Sequence, residues 1–321
     1  MFNLPLIDEY LFSSSQRLYW GYLASAAVLA LMFYGVQKKR LASERLSLSE
    51  LKTQAKNYWL HPQSILDYQY FVVVWLIKSY LLVPLLFSAK SVASLTLKTL
   101  TFLHAPFVTN MPIWAVSVIY TLLIFIAGEF SRYWLHRWLH TVGFLWHFHK
   151  VHHSATQLNP LTFYRVHPVE NLLFGLRYAL SVGIVTGLCL WLFGTQLNFV
   201  TIFGANALVA IFSLIGGNLR HSHIYLRYPK WLEKWFISPA QHQLHHSTAN
   251  SHKNFGGYLG VFDWWHNTHA FSTDFDKPQQ FGLKNLDNYR SVKGLLLQPF
   301  VDFGAWYAKR RAKTVHHFDQ H

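Results

Sequence analysis

Between His136 and His153 the chain reads HRWLHTVGFLWHFHKVHH, six histidines in eighteen residues among aromatic and aliphatic neighbours. A second group, HQLHH, runs from His242 to His246. On a helix, residues three and four apart share a face. His136 and His140 are four apart; His149, His152 and His153 follow an HxxHH spacing, and His242, His245 and His246 repeat it. Neutral imidazole is a ligand for iron, zinc, copper and nickel. One metal takes about four to six donors. The three motifs supply eight, so two metal ions are the economical reading. The chain has no Glu-x-x-His motif of the kind that carboxylate-bridged di-iron bundles use, so the expected site is rich in histidine and poor in carboxylate. Without metal or hydrogen-bond partners, burying these rings among apolar helices would be costly.

Something must carry these residues. Of the 321 residues, 52% are hydrophobic and 13% charged, about half the charged share of an ordinary soluble domain. That deficit points to lipid as part of the solvent. Lys and Arg number 28 against 14 Asp and Glu, a formal charge of +14. So apolar a chain does not read as a nucleic-acid binder; its basic residues suit loops facing anionic headgroups. The single cysteine, Cys189, sits in an apolar run and reads as packing.

Five apolar runs approach the ~20 residues that span a bilayer as a helix: about Tyr19–Val36, Tyr68–Phe87, Ile113–Phe130, Leu172–Phe193 and Phe199–Ile215. Asp8 and Glu9 precede the first and QKKR follows it, which reads as an uncleaved span rather than a signal peptide. With the N-terminus outside, the loop at 37–67 falls inside with Lys38, Lys39, Arg40, Arg45, Lys52 and Lys56, and the loop at 88–112 falls outside with only Lys90 and Lys98. Residues 131–170 and the chain after about Gly216 then meet on the inner, basic face, bringing both histidine groups together. The tail from about Pro299, with Lys309, Arg310, Arg311 and Lys313, reads either as a surface helix touching headgroups or as a solvated terminus. The expected fold is an all-α integral membrane bundle of about four to five transmembrane helices with a cytoplasmic helical cap bearing the histidines. Its expected parts are 1–112 (N-terminal membrane region), 113–270 (catalytic domain) and 271–321 (tail).

From about Phe125 to Thr268 the sequence resembles the fatty acid hydroxylase/sterol desaturase superfamily of membrane oxygenases. The motifs are GEFSRYWLHRWLH, LWHFHKVHHSATQLNPLTFYRVHPVE and SPAQHQLHHSTANSHKNFGGYLGVFDW. The resemblance implies two iron ions, dioxygen as co-substrate, a lipid or sterol substrate and an external electron-transfer protein. It implies ligand roles for His136, His140, His149, His152, His153, His242, His245 and His246, and adds His221 (in NLRHSH) and His167 (in RVHPVE). His223 stands where relatives often have asparagine, which leaves its role open. Glu129, seven residues before His136 and on the same helix face, is expected to orient an imidazole. Asn159 and Arg165 are taken as site residues on their motif flanks, and Glu170, Asn254 and Asp263 match flanks too.

The implied activity is dioxygen-dependent hydroxylation of a lipid or sterol C–H bond in a multi-pass membrane protein of the bacterial inner membrane or endoplasmic reticulum. Desaturation and ether-lipid cleavage remain open beside it. A zinc-dependent membrane hydrolase is a further alternative. A metal transporter is another, although transport predicts ligands inside the spans and the motif histidines lie outside their centres.

Overall fold

The structure is a computed structural model that describes residues 7–41, 48–106, 111–194, 197–202, 205–275 and 280–318. Arg45 and the side chains of Lys38, Lys39, Arg40 and Lys313 lie outside the described residues. A short α1 (Glu9–Phe12) leads to α2 (Trp20–Leu41) and α3 (Leu48–Trp59). Helix α4 (Pro62–Ile77) starts where Pro62 takes a first-turn position and His61 Nδ1 accepts the Gln63 amide at 3.2 Å. A π-turn (Lys78–Leu82) and α5 (Val83–Leu85) follow; α6 (Ala89–Leu103) then resumes behind a Ser88 cap. Next come α7 (Ile113–Thr141), α8 (Gly143–His153), a 3-10 turn at Pro160–Tyr164 and α9 (Pro168–Phe193).

Three segments, Pro62–Leu103, Ile113–Thr141 and Pro168–Phe193, are long and apolar enough to cross a membrane; the helix at Trp20–Val36 is apolar but shorter. The molecule is an all-α membrane bundle, with three such segments among the described residues where four to five were expected. Residues 89–103, read from sequence as part of an outer loop, are helical. The cause is close packing on α9: a Cβ on Gly187 would lie 2.6 Å from the Ala93 carbonyl, so glycine there lets the two backbones approach. Lys90 and Lys98 stay exposed on the opposite face.

Helices α6 and α9 run parallel, since Leu86 lies against Gly175, Thr96 against Gly187, and the His104 carbonyl accepts from Trp191 Nε1 at 3.2 Å. Helix α7 is antiparallel to them, with Tyr120 bonded to Thr186 at 2.8 Å and Arg177 to the Gly128 carbonyl at 2.9 Å.

The expected fifth span, about Phe199–Ile215, is not a continuous helix. A two-stranded turn, β1 (Thr201–Ile202) with β2 (Ala205–Asn206), precedes α10 (Ala207–Leu214). Eight residues of helix reach only about 12 Å. Helix formation starts late because the Asn206 side chain accepts the Leu208 and Val209 amides, and Thr121 Oγ1 takes the Val200 amide at 2.8 Å. Extended backbone at this depth is tolerated where protein satisfies it. The chain continues through a 3-10 turn (Gly217–His221), α11 (Lys230–Glu233), α12 (Pro239–His245), α13 (Val261–Trp265) and α14 (Val292–Phe318).

Candidate metal centre

Helix α7 ends at its histidines, α8 follows after one residue, and α12 is a two-turn helix in a different part of the chain. Helix α12 is placed by a capping box: Ser238 and Gln241 bond reciprocally, and Glu233 accepts from the Ser238 hydroxyl at 2.6 Å. These pieces bring nine buried imidazoles together. His136, His140, His149, His153 and His245 form one group; His152, His221, His242 and His246 form a second; in each, the candidate ligand atoms lie within 4.8 Å of one another.

The ring nitrogens divide into tethered and inward sets. His136 Nδ1 donates to the Phe255 carbonyl and His245 Nδ1 to the Lys253 carbonyl, both at 2.7 Å. His149 Nδ1 donates to Glu170 Oε1 at 2.9 Å. The opposite nitrogens of His149 and His245, with Nε2 of His153 and both nitrogens of His140, are buried without a hydrogen-bond partner. In the second group, Nε2 atoms of His221, His242 and His246 stand 3.1, 3.1 and 3.2 Å apart. Two nitrogens bound about 2.1 Å from one metal at 90–109° are about 3.0–3.4 Å apart, so this spacing is that of adjacent ligands. Buried orphan nitrogens and a carboxylate-tethered imidazole make the arrangement fit two metal ions.

Burial, then neighbouring imidazoles, holds His152, His153, His221, His242, His245 and His246 well below the usual histidine pKa. Burial alone takes His149 down to about 3. Neutral imidazole, the ligating form, is therefore the state at neutral pH.

Residues 121–268 match the family model described as fatty acid hydroxylase. This region is similar to the fatty acid hydroxylase/sterol desaturase superfamily. Among curated proteins the chain is similar to a very-long-chain aldehyde decarbonylase GL1-8 of Oryza sativa subsp. indica, 34% identical over 42% of this chain and 47% of that protein. It is also similar to a putative Delta(7)-sterol-C5(6)-desaturase 2 of Arabidopsis thaliana, 26% identical over 47% of this chain and 48% of that protein. The chain thus spans about half the length of the curated relatives it matches. No solved structure matches it.

Nine of the ten histidines expected as ligands in the hydroxylase domain fall in the two groups. His167 does not: it caps α9, accepting the Val169 amide on Nδ1 at 3.1 Å, and its Nε2 donates to the Leu296 carbonyl at 3.1 Å. His223 is exposed, with its ring 4.4 Å from that of Tyr58, outside both groups.

Glu129, expected to orient an imidazole, instead accepts the backbone amides of Tyr258 and, at 3.0 Å, Leu259. A side chain at Gly257 would collide with this carboxylate, its Cβ lying 2.6 Å from Oε1. The carboxylate that does orient an imidazole is Glu170, noted from sequence only as a motif flank. Asn159 and Arg165 do not reach the metal groups through their side chains; they bind Asp67. Asp67 Oδ2 takes Asn159 Nδ2 at 2.8 Å and Thr162 Oγ1 at 2.6 Å, and Oδ1 takes Arg165 Nη1 at 3.0 Å. Sequence reading passed over Asp67. The available signal was a lone acid beside an apolar run, which marks a buried partner by default.

Proposed function

We propose that this protein is a membrane-bound, di-iron, dioxygen-dependent oxidoreductase that hydroxylates or desaturates a lipid or sterol C–H bond. The observation that carries the reading is the pair of buried histidine groups within a hydroxylase-family domain. The first ion would be held by His136, His140, His149, His153 and His245, the second by His152, His221, His242 and His246. Iron bound there would supply activation of dioxygen toward an unreactive C–H bond. Imidazole alone suits zinc as well as iron, so the preference for iron rests on the family similarity.

The chain's own residues keep the seven rings outside the spans neutral, hold His136, His149 and His245 in one tautomer, and exclude water by burial. In this reading the metals face the cytoplasm, and an external electron-transfer protein delivers reductant. The substrate is a long-chain lipid or sterol drawn from the bilayer. The rice relatives' names favour a second reading, in which the substrate is a very-long-chain aldehyde.

The test is anaerobic purification with metal analysis, followed by reaction with isotopically labelled dioxygen, a reductase, and sterol, acyl-lipid or long-chain aldehyde substrates. About two irons per chain, with labelled oxygen in the product or dioxygen-dependent loss of two hydrogens, is the expected result. Zinc occupancy with dioxygen-independent turnover would reject the proposal.

A further inference from the structure

Beside the metal groups, on the side toward the spans, four guanidinium groups gather around one carboxylate and the backbone segment it holds. Arg220 donates to the Gly257 and Ile237 carbonyls, and Arg17 to the Tyr258 hydroxyl at 2.8 Å. Arg177 donates to the Gly128 carbonyl at 2.9 Å and to Ser131 Oγ at 2.8 Å. These acceptors are neutral and leave the charge in place. The carboxylate is Glu129, 3.7 Å from Arg132 Nε and already taking two backbone amides. Arg132 and Glu129 are the nearby full charges acting on Arg177. With the Asp263 carboxylate, which takes the Phe255 and Gly256 amides of the same segment, four positive charges against two negative leave a formal +2 at this level. Nε of Arg132 and Nε of Arg177 are both buried without a hydrogen-bond partner.

The depth of this cluster follows from its neighbours. Arg132 lies one turn before His136, about 6 Å along α7. Helix α13 packs at the same level, Phe262 meeting Phe130 at 5.6 Å between ring centroids. Around it Tyr178, Trp264 and Trp265 are 57%, 43% and 66% exposed. Exposed aromatic rings at one level mark the zone where headgroups meet hydrocarbon. A guanidinium fork matches phosphate geometry, and uncompensated charge in a poorly hydrated zone is costly unless an anion balances it.

We propose that the seam between α7 and α9 at Arg132 and Arg177 binds the phosphate of an anionic phospholipid. This site is independent of the reaction performed at the metal groups. It fixes one lipid against the catalytic domain and holds α7 and α9 in register through Gly128, Ser131 and Arg177.

The test uses the full chain in mild detergent, titrated with phosphatidylglycerol or with phosphatidylcholine, with bound lipids counted by native mass spectrometry. One phosphatidylglycerol should be retained in preference to phosphatidylcholine. Arg132→Gln should weaken it roughly fivefold, the effect of one arginine near an anionic surface. The Arg132 side chain is 35% exposed, so this variant should keep its fold, as a melting measurement in parallel checks. Arg177→Lys, which keeps the charge and loses the fork, should weaken binding less than Arg177→Gln. Lys309→Gln with Arg310→Gln, on exposed positions of α14, should change nothing. Equal retention of both lipids, full retention by Arg132→Gln, or displacement by excess inorganic phosphate would each overturn the proposal.

Discussion

Glu170 offers a way to weaken one metal position and spare the other. Its side chain and that of His149 are each 2% exposed, and they meet at 2.9 Å. Hydrogen bonds to charged groups contribute about 1.5–3 kcal/mol, neutral ones about 0.5–1.5. Glu170→Gln keeps an acceptor and loses the charge, which removes about 1–1.5 kcal/mol from the ligating form of His149, roughly tenfold in affinity. Glu170→Ala removes the acceptor as well and should approach a hundredfold, within the range for partners of metal-bound histidine. The loss should fall on the five-histidine group, because His149 belongs to it.

Stability of the metal-free protein should move the opposite way. Glu170 Oε2 is buried without a partner, so removing the carboxylate's charge relieves a desolvation cost. The assay is anaerobic Fe(II) titration against a chromogenic chelator, with melting of the metal-free protein alongside. One iron should bind as in the wild type and one about tenfold more weakly, with an unchanged or raised melting temperature. Equal weakening of both irons, or of neither, would refute the assignment of Glu170 to one position. A lowered melting temperature would make Glu170 merely structural.

His167→Ala should keep both irons and cost about 1 kcal/mol of stability, the scale of a lost helix cap; loss of a metal would restore His167 as a ligand. Asp67→Asn breaks an ion pair whose side chains are both 0% exposed, so chemical denaturation should show a loss of about 3–5 kcal/mol, and an unaffected midpoint would contradict that burial. Burial holds His149 at about 3, below the ordinary histidine value of 6.5, so the unfolded chain takes up protons first as pH falls. Its share of the metal-free protein's stability is therefore complete above about pH 6.5 and drains toward pH 3, by about 1.4 kcal/mol per unit. Melting temperatures that stay flat from pH 7.5 to 5 would count against neutral buried imidazoles.

The candidate ligands are legible in the sequence because their spacing is local. HxxHH puts three rings on one helical face whatever surrounds the helix, and α8 and α12 carry those motifs into the two groups. The long apolar runs of α7 and α9 are legible for the same reason. What sequence misjudged depended on partners distant in the chain. Residues 89–103 read as a loop because Lys90 and Lys98 interrupt their hydropathy, while the packing face was hidden in the glycines of α9. The run from Phe199 read as a helix because it is apolar, yet Thr121 and Asn206 engage its backbone first. Glu129 shares a face with His136, as expected, but a shared face does not fix which donor a carboxylate meets.

The segment from Lys253 to Leu259 explains why the tethers stayed hidden. Two of its carbonyls, at Lys253 and Phe255, accept from His245 and His136, and a backbone carbonyl leaves no trace in residue type. Its shape is held by acids from elsewhere. Asp263 takes the Phe255 and Gly256 amides at 2.8 and 2.7 Å, and Glu129 takes those of Tyr258 and Leu259. Asn254, at φ 58°, makes the turn between them, its side chain bonded to the Gln241 carbonyl and the Ala270 amide. Glu129 therefore does bear on His136, one step removed: it fixes the loop whose carbonyl fixes the ring. The acids near this centre act on amides and on one imidazole, and the ligand groups themselves stay all-histidine. That division would let two metals share a small volume without a bridging carboxylate in either group.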